Sequence, residues 1–283
     1  FPGGGWRHQA ADELRPVRLR LCHLPQAAPP LVDVSRDGKS HWGPGNWPMP
    51  EITADGTVMR LRDRGGHTFQ TAAGTSLEVK PVALPDPLMM DGDWTLHFPP
   101  NQGAPEKVGI AVPGSWTQHR DDGVKHFSGT ATYRKSFGLP ADSLAPGREW
   151  HFDLGMVKNI AEVSVNGRVF PDLWQPPFRV DVTTALKPGA NDIAIAVTNR
   201  WLNRLIGDEK LHPLESGFQA YGGIKSFPEW VKAGQTPRGG RTTFATWLLV
   251  RPTDPLLPSG LLGPVTLRPV QRVALGGTAE AAD

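Results

Sequence analysis

The densest grouping of chemistry-bearing side chains is the stretch NRWLNRLIGDE at 199–209. Arg200, Arg204, the amide of Asn203, the indole of Trp201 and the carboxylates of Asp208 and Glu209 crowd into one short segment. Planar donors, acceptors and an apolar ring face in that mixture suit a hydroxyl-rich ligand. An internal Arg–carboxylate network pinning a loop would give the same sequence, and both readings stand. Trp174, just ahead of Gln175-Pro176-Pro177-Phe178, sits where one apolar run ends and the next begins. It either stacks on a sugar face or plugs the end of a sandwich. Asp121-Asp122-Gly123 offers oxygens to calcium, a hard ion that takes carboxylate-rich turns, or is simply a turn.

Glycoside hydrolysis needs two carboxylates about 5–10 Å apart across the scissile bond. Asp153, Glu162, Asp208, Glu209, Glu215 and Glu229 are available, yet their spacing singles out no pair, so catalytic residues stay unassigned. No Walker loop, G-x-G-x-x-G, H-E-x-x-H or G-x-S-x-G occurs, which removes the common nucleotide, zinc-protease and hydrolase-elbow signatures.

The elements that must position these groups are legible between residues 127 and 209. Trp150, Phe152 and Leu154 alternate, as do Ala161, Val163 and Val165, then Phe178, Val180 and Val182, then Ile193, Ile195 and Val197. Period-two alternation puts every second side chain on one face, the pattern of half-buried antiparallel strands. Asn166-Gly167 predicts a tight hairpin, and Lys187-Pro188-Gly189-Ala190-Asn191 a second turn. Upstream, Trp94, Leu96 and Phe98 alternate, and Val108, Ile110 and Val112 likewise. A last pair of strands is expected at 242–250 and 265–273, with a loop-like stretch at 211–240. No segment carries a clear helical period. The fold class expected is all-β, an antiparallel β-sandwich of jelly-roll type, preceded by a small irregular β unit.

Composition agrees with many short strands joined by turns: 32 glycines and 29 prolines, with ten tryptophans that need somewhere to pack. Net charge is +2 with Lys and Arg dispersed among carboxylates, so electrostatics argues for neither nucleic acid nor an anionic membrane. No apolar run is long enough to span a bilayer as a helix. A single cysteine, Cys22, excludes an internal disulfide and a cysteine-based zinc site. Residues 1–50 read as irregular apart from Val17, Leu19 and Leu21, with PQAAPP at 25–30 and HWGPGNWPMP at 41–50. A small β unit follows at 57–80. The proline-spaced PVALPDP at 81–87 marks a stiff linker. The expected division is therefore an irregular segment with a small β unit over 1–85, the sandwich over 86–275, and a frayed tail over 276–283. The opening FPGGGWRH, without methionine or a signal-like run, reads as a mature product or a piece of something longer.

The runs FSGTATYRKSF, NIAEVSVNG, LWQPPFRVDVTTALKPGANDIAIAVTNRWLNRLIGDE, GIKSFPEW, TFATW and LLPSGLLGPV together resemble the C-terminal region of glycoside hydrolase family 106, the α-L-rhamnosidases. More generally they resemble the galactose-binding-like jelly roll attached to family 2-type glycosidases. The resemblance covers about residues 88–270. It implies a carbohydrate-recognition or accessory module of an enzyme acting on rhamnose-containing polysaccharides or glycosides, periplasmic or extracellular. Its partners would be a rhamnose-containing glycan and a catalytic (β/α)₈ barrel in the parent chain. No cofactor is required, and calcium at Asp121 and Asp122 stays the optional alternative to a plain turn. Nothing in the chain reads as eight βα units, so no catalytic residue carries over. The alternative is a complete small polysaccharide-degrading enzyme with its carboxylates on the sandwich. On either reading the candidate carbohydrate-binding or docking residues are Trp174, Trp201, Asn203, Arg204, Asp208 and Glu209.

Overall fold

A computed structural model describes residues 31–37, 39–40, 51–53, 56–62, 64–71, 74, 76–80, 83–236 and 239–275. Cys22, the alternation at 17–21 and the proline- and tryptophan-rich segments at 25–30 and 41–50 lie outside them. The chain forms two compact units. One comprises Phe1–Met59, Gly66–Lys80 and Val273–Asp283, the other Arg60–Gly65 and Pro81–Arg272.

The first unit holds a four-stranded antiparallel sheet in the order Lys39–Ser40, Leu31–Arg36, His67–Thr71, Ser76–Val79. The stretch read as irregular thus contributes a strand at 31–36. Its order comes from a partner some thirty residues away: Val34 lies opposite Phe69, and both are buried. A long-range pairing of this kind leaves little trace in a local window.

The second unit is the antiparallel sandwich. One sheet runs Arg168–Val169, Ile160–Val165, Gly189–Thr198, Thr130–Leu139, Trp94–His97, Lys107–Ile110. The facing sheet contains Arg179–Asp181, Arg148–Asp153 and Thr266–Leu275, with Leu88–Met89 paired to the start of the last. Register follows the predicted alternation. Tyr133 pairs with Ile195 and Ile195 with Val163, all fully buried, while Arg134, Ala194 and Ser164 form the adjacent row on the opposite side. Across the core, Phe137 meets Phe152 edge-to-face at 5.8 Å. Val180 is only half-buried, whereas Phe178 and Val182 on either side of it are buried.

The turns behave as their residues dictate. Asn166 and Gly167 both adopt positive φ (51° and 83°), the geometry a two-residue hairpin needs. The buried Asn191 side chain accepts from Lys187 N and donates to the carbonyls of Lys187 and Gly189, closing the second turn internally.

Three local expectations fail for physical reasons. The strand at 107–110 stops at Ile110, and Val112 is exposed. The segment 242–250 is no strand of either sheet. It makes one isolated bridge, Gly223 to Trp247, because its neighbour is a short glycine turn with Gly222 at φ 98°. Finally, the stretch 199–209 is not a loop. The strand ends at Thr198 and the α-helix Leu202–Leu211 begins almost at once. Its buried face is Asn203, Arg204, Ile206, Gly207 and Asp208, a stripe at helical spacing that is mostly polar and so shows no hydrophobic period.

Candidate functional site

The helix Leu202–Leu211 is held by its charged side chains. Asp208 is fully buried, and its Oδ2 accepts from the backbone N–H groups of Thr242 (3.0 Å) and Thr243 (2.6 Å) and from both threonine hydroxyls. Its Oδ1 lies 3.0 Å from an Arg204 Nη in an ion-pair contact that lacks the alignment of a directed hydrogen bond. Glu209 accepts from Arg241 at 2.6 Å, and Arg241 also donates to the carbonyls of Thr243 and His212. Asn203 exchanges two hydrogen bonds with the backbone of Leu257 (2.7 and 2.9 Å). Gly207 permits close approach at the crossing, since a Cβ there would fall 2.5 Å from His126 Cβ. The Arg–carboxylate network anticipated as one reading of NRWLNRLIGDE is therefore present. It ties the helix to 241–243 and 257–259.

Beside this framework lies a cleft of about 830 Å³, adjoined by a recess of about 180 Å³. Lys158, Asn159, Asn199 and Arg200 line both. Met156, Ile160, Trp174 and Phe178 supply the apolar wall of the larger one. Each contributor is aimed by backbone pairing. Lys158 ends the strand Met156–Lys158, opposite Gly260. The Asn159 N–H donates to Thr198 O at 2.9 Å. Trp174 follows Leu173, whose N–H and C=O are both bonded to Ala161. Asn199 accepts from Gly129 N (2.8 Å) and donates to Phe127 O (2.8 Å), fixing the point from which Arg200 departs.

Of the residues singled out from sequence, Trp174 and Asn203 line these cavities, Trp174 with 67% of its surface exposed. It stands at the rim and does not plug the sandwich. Trp201 is also exposed but lines neither cavity. Arg204, Asp208 and Glu209 belong to the buried network. Asp121 caps the short helix Asp122–Lys125 by accepting from Val124 N at 3.1 Å, and Asp122 lies 3.9 Å from His126 Nδ1. Lys158 and Asn159 escaped notice in the sequence. The signal available was their position in the break between two alternating runs, 150–154 and 161–165.

Among the described residues, Glu149, His151 and Asp181 bring potential metal-ligand atoms within 4.8 Å of one another. Their oxygens already have donors. Glu149 Oε2 accepts from Arg60 Nε (2.7 Å) and contacts His151 Nε2 (3.1 Å), and Asp181 Oδ1 accepts from Thr183 N and Oγ1. Burial pulls the Glu149 pKa upward, but His151 and Arg60 outweigh it and leave the carboxyl below its ordinary value. Other carboxylates are likewise paired: Asp153 with Arg179 at 2.7 Å, Glu229 with Lys232 at 2.5 Å.

No family model matches the chain. It is 40% identical over 221 residues to a Formosa agariphila protein named "Putative beta-glucuronidase", a match that takes in 77% of this chain and 19% of that protein. Its fold is shared with a rhamnosidase from Novosphingobium sp. PP1Y, at a TM-score of 0.53 and 23% identity, over 84% of this chain and 25% of the other. The chain thus spans about a fifth of the length of the curated relative it matches and is glycoside hydrolase-like.

Proposed function

We propose that this chain is a carbohydrate-recognition or accessory module of a glycoside hydrolase, with the cleft at Trp174 as its sugar site. The observation that carries the reading is the cleft's composition. An exposed indole and an apolar wall offer a stacking surface for a pyranose ring, while Asn159, Lys158 and Arg200 offer hydroxyl-directed donors. No carboxylate lines the cleft or its recess, among the described residues, to serve as a general acid or nucleophile. The likeness to roughly a fifth of a longer protein supports an accessory role beside a separate catalytic domain. Rhamnose is the glycan that the family 106 resemblance implies, and the shared fold with a rhamnosidase supports it at the level of architecture alone. The name of the 40% relative points instead to a glucuronoside.

The test pairs binding with turnover. The isolated chain should bind oligosaccharide by calorimetry, lose that binding on Trp174→Ala with its unfolding midpoint unchanged, and hydrolyse neither aryl α-L-rhamnosides nor aryl β-D-glucuronides. Turnover abolished by replacing one acid would overturn the module reading.

A further inference from the structure

The polar side chains around the cleft divide into those spent on the fold and those left free. Asn199 and Asn203 have their amides bonded to backbone, and Thr198 Oγ1 is 2.7 Å from Thr130 Oγ1. Lys158, Asn159 and Arg200 have no side-chain hydrogen bond or ion pair among the described residues, although all three line both cavities. Two unpaired cations therefore share a cleft with a neutral amide and an indole, and among the described residues no Asp or Glu lines it to balance them. Four arginines elsewhere in the same unit, Arg60, Arg179, Arg204 and Arg241, instead each face a carboxylate within 3.0 Å. Like charges left together beside an apolar wall raise the local positive potential, because low-dielectric walls focus the field. The arrangement stands ready for an anion.

We propose that the cleft takes an acidic sugar, one whose pyranose face stacks on Trp174 while its carboxylate or sulfate ester lies between Lys158 and Arg200. Asn159 then addresses a neighbouring hydroxyl. This rests on the carbohydrate reading above and narrows it from sugars in general to charged ones. A nucleic acid also pairs aromatic stacking with anion binding, but it needs a basic track, and this chain carries a net charge of only +2 with its cations dispersed.

The experiment is calorimetric titration of the whole chain at low and moderate salt with three probes: a uronate-containing oligosaccharide, a sulfated oligosaccharide and a neutral oligosaccharide of matched length. At least one acidic probe should bind about ten-fold more tightly than the neutral one, the sum expected of two solvent-accessible charge contacts, and should weaken as salt rises. Whichever acidic probe binds identifies the anion. Lys158→Gln and Arg200→Gln should each weaken the acidic probe more than the neutral one, so that the preference shrinks while the unfolding midpoint stays in place. Equal binding of neutral and acidic probes, or a preference that survives both substitutions, overturns the inference and leaves the carbohydrate reading standing. A chain that binds none of the three overturns both. Displacement of the acidic sugar by a stoichiometric single-stranded oligonucleotide would reassign the cleft to nucleic acid.

Discussion

Replacing Asp208 with alanine probes how the helix beside the cleft is held. The wild-type carboxylate is fully buried and receives two backbone N–H groups, two hydroxyls and the guanidinium of Arg204, itself nearly inaccessible. Deleting it leaves Arg204 as an uncompensated buried charge, a loss of about 3–5 kcal/mol. It also orphans the N–H groups of Thr242 and Thr243, at about 1–3 kcal/mol each, whereas the hydroxyls can rotate to new partners. These losses share one site and are not additive. Water entering the vacated space offsets part of each, and a net loss of about 4 kcal/mol is expected. Against an ordinary stability of about 5–15 kcal/mol this is a large fraction. Urea unfolding followed by tryptophan fluorescence measures it. Asp208→Asn should fall between alanine and wild type, since its amide oxygen still accepts from one threonine N–H. In the double variant Arg204→Met with Asp208→Ala, the loss should be clearly smaller than the sum of the single losses, because the stranded charge is gone. If Asp208→Ala lies within about 1 kcal/mol of wild type, or the double variant is strictly additive, the network does not hold the helix.

Two further outcomes follow from buried polar groups in the sandwich. The Tyr133 hydroxyl accepts from Trp116 Nε1 (2.6 Å) and from Leu261 N (3.0 Å), so Tyr133→Phe should cost about 2–4 kcal/mol by orphaning two buried donors; an unchanged thermal midpoint would refute this. His126 is 1% exposed, and burial, only partly offset by Asp122, lowers its pKa in the folded state. Below the ordinary value of about 6.5 the unfolded chain takes up a proton that the folded chain resists, so stability should fall as pH drops from about 7.5 to 5.5. His97 is shifted in the same direction, so His126→Gln should reduce that slope without abolishing it. A slope unaltered by the substitution would show that His126 is not the group titrating.

What the sequence determined by itself was the sandwich. Trp150, Phe152, Val163, Ile193 and Ile195 are buried because strict alternation leaves a strand one way to hide its apolar side, and Asn166-Gly167 turns where only positive φ serves. The helix Leu202–Leu211 was not legible. Its inward stripe carries Asn203, Arg204 and Asp208, and a helix that buries paired polar groups shows no apolar period to a local reading. The meaning of NRWLNRLIGDE depended on Thr242, Thr243, Arg241 and Leu257, which lie some thirty to fifty residues onward. The cleft was equally a tertiary outcome. Lys158-Asn159, Trp174 and Arg200 belong to three separate segments, brought to one place by the pairing of Lys158 with Gly260, Leu173 with Ala161, and Asn199 with the backbone at 127–129. Alternation is a property of neighbours along the chain and survives in the sequence. Which charges find partners, and which are left facing solvent in a cleft, depends on distances across the fold, and only the folded chain decides it.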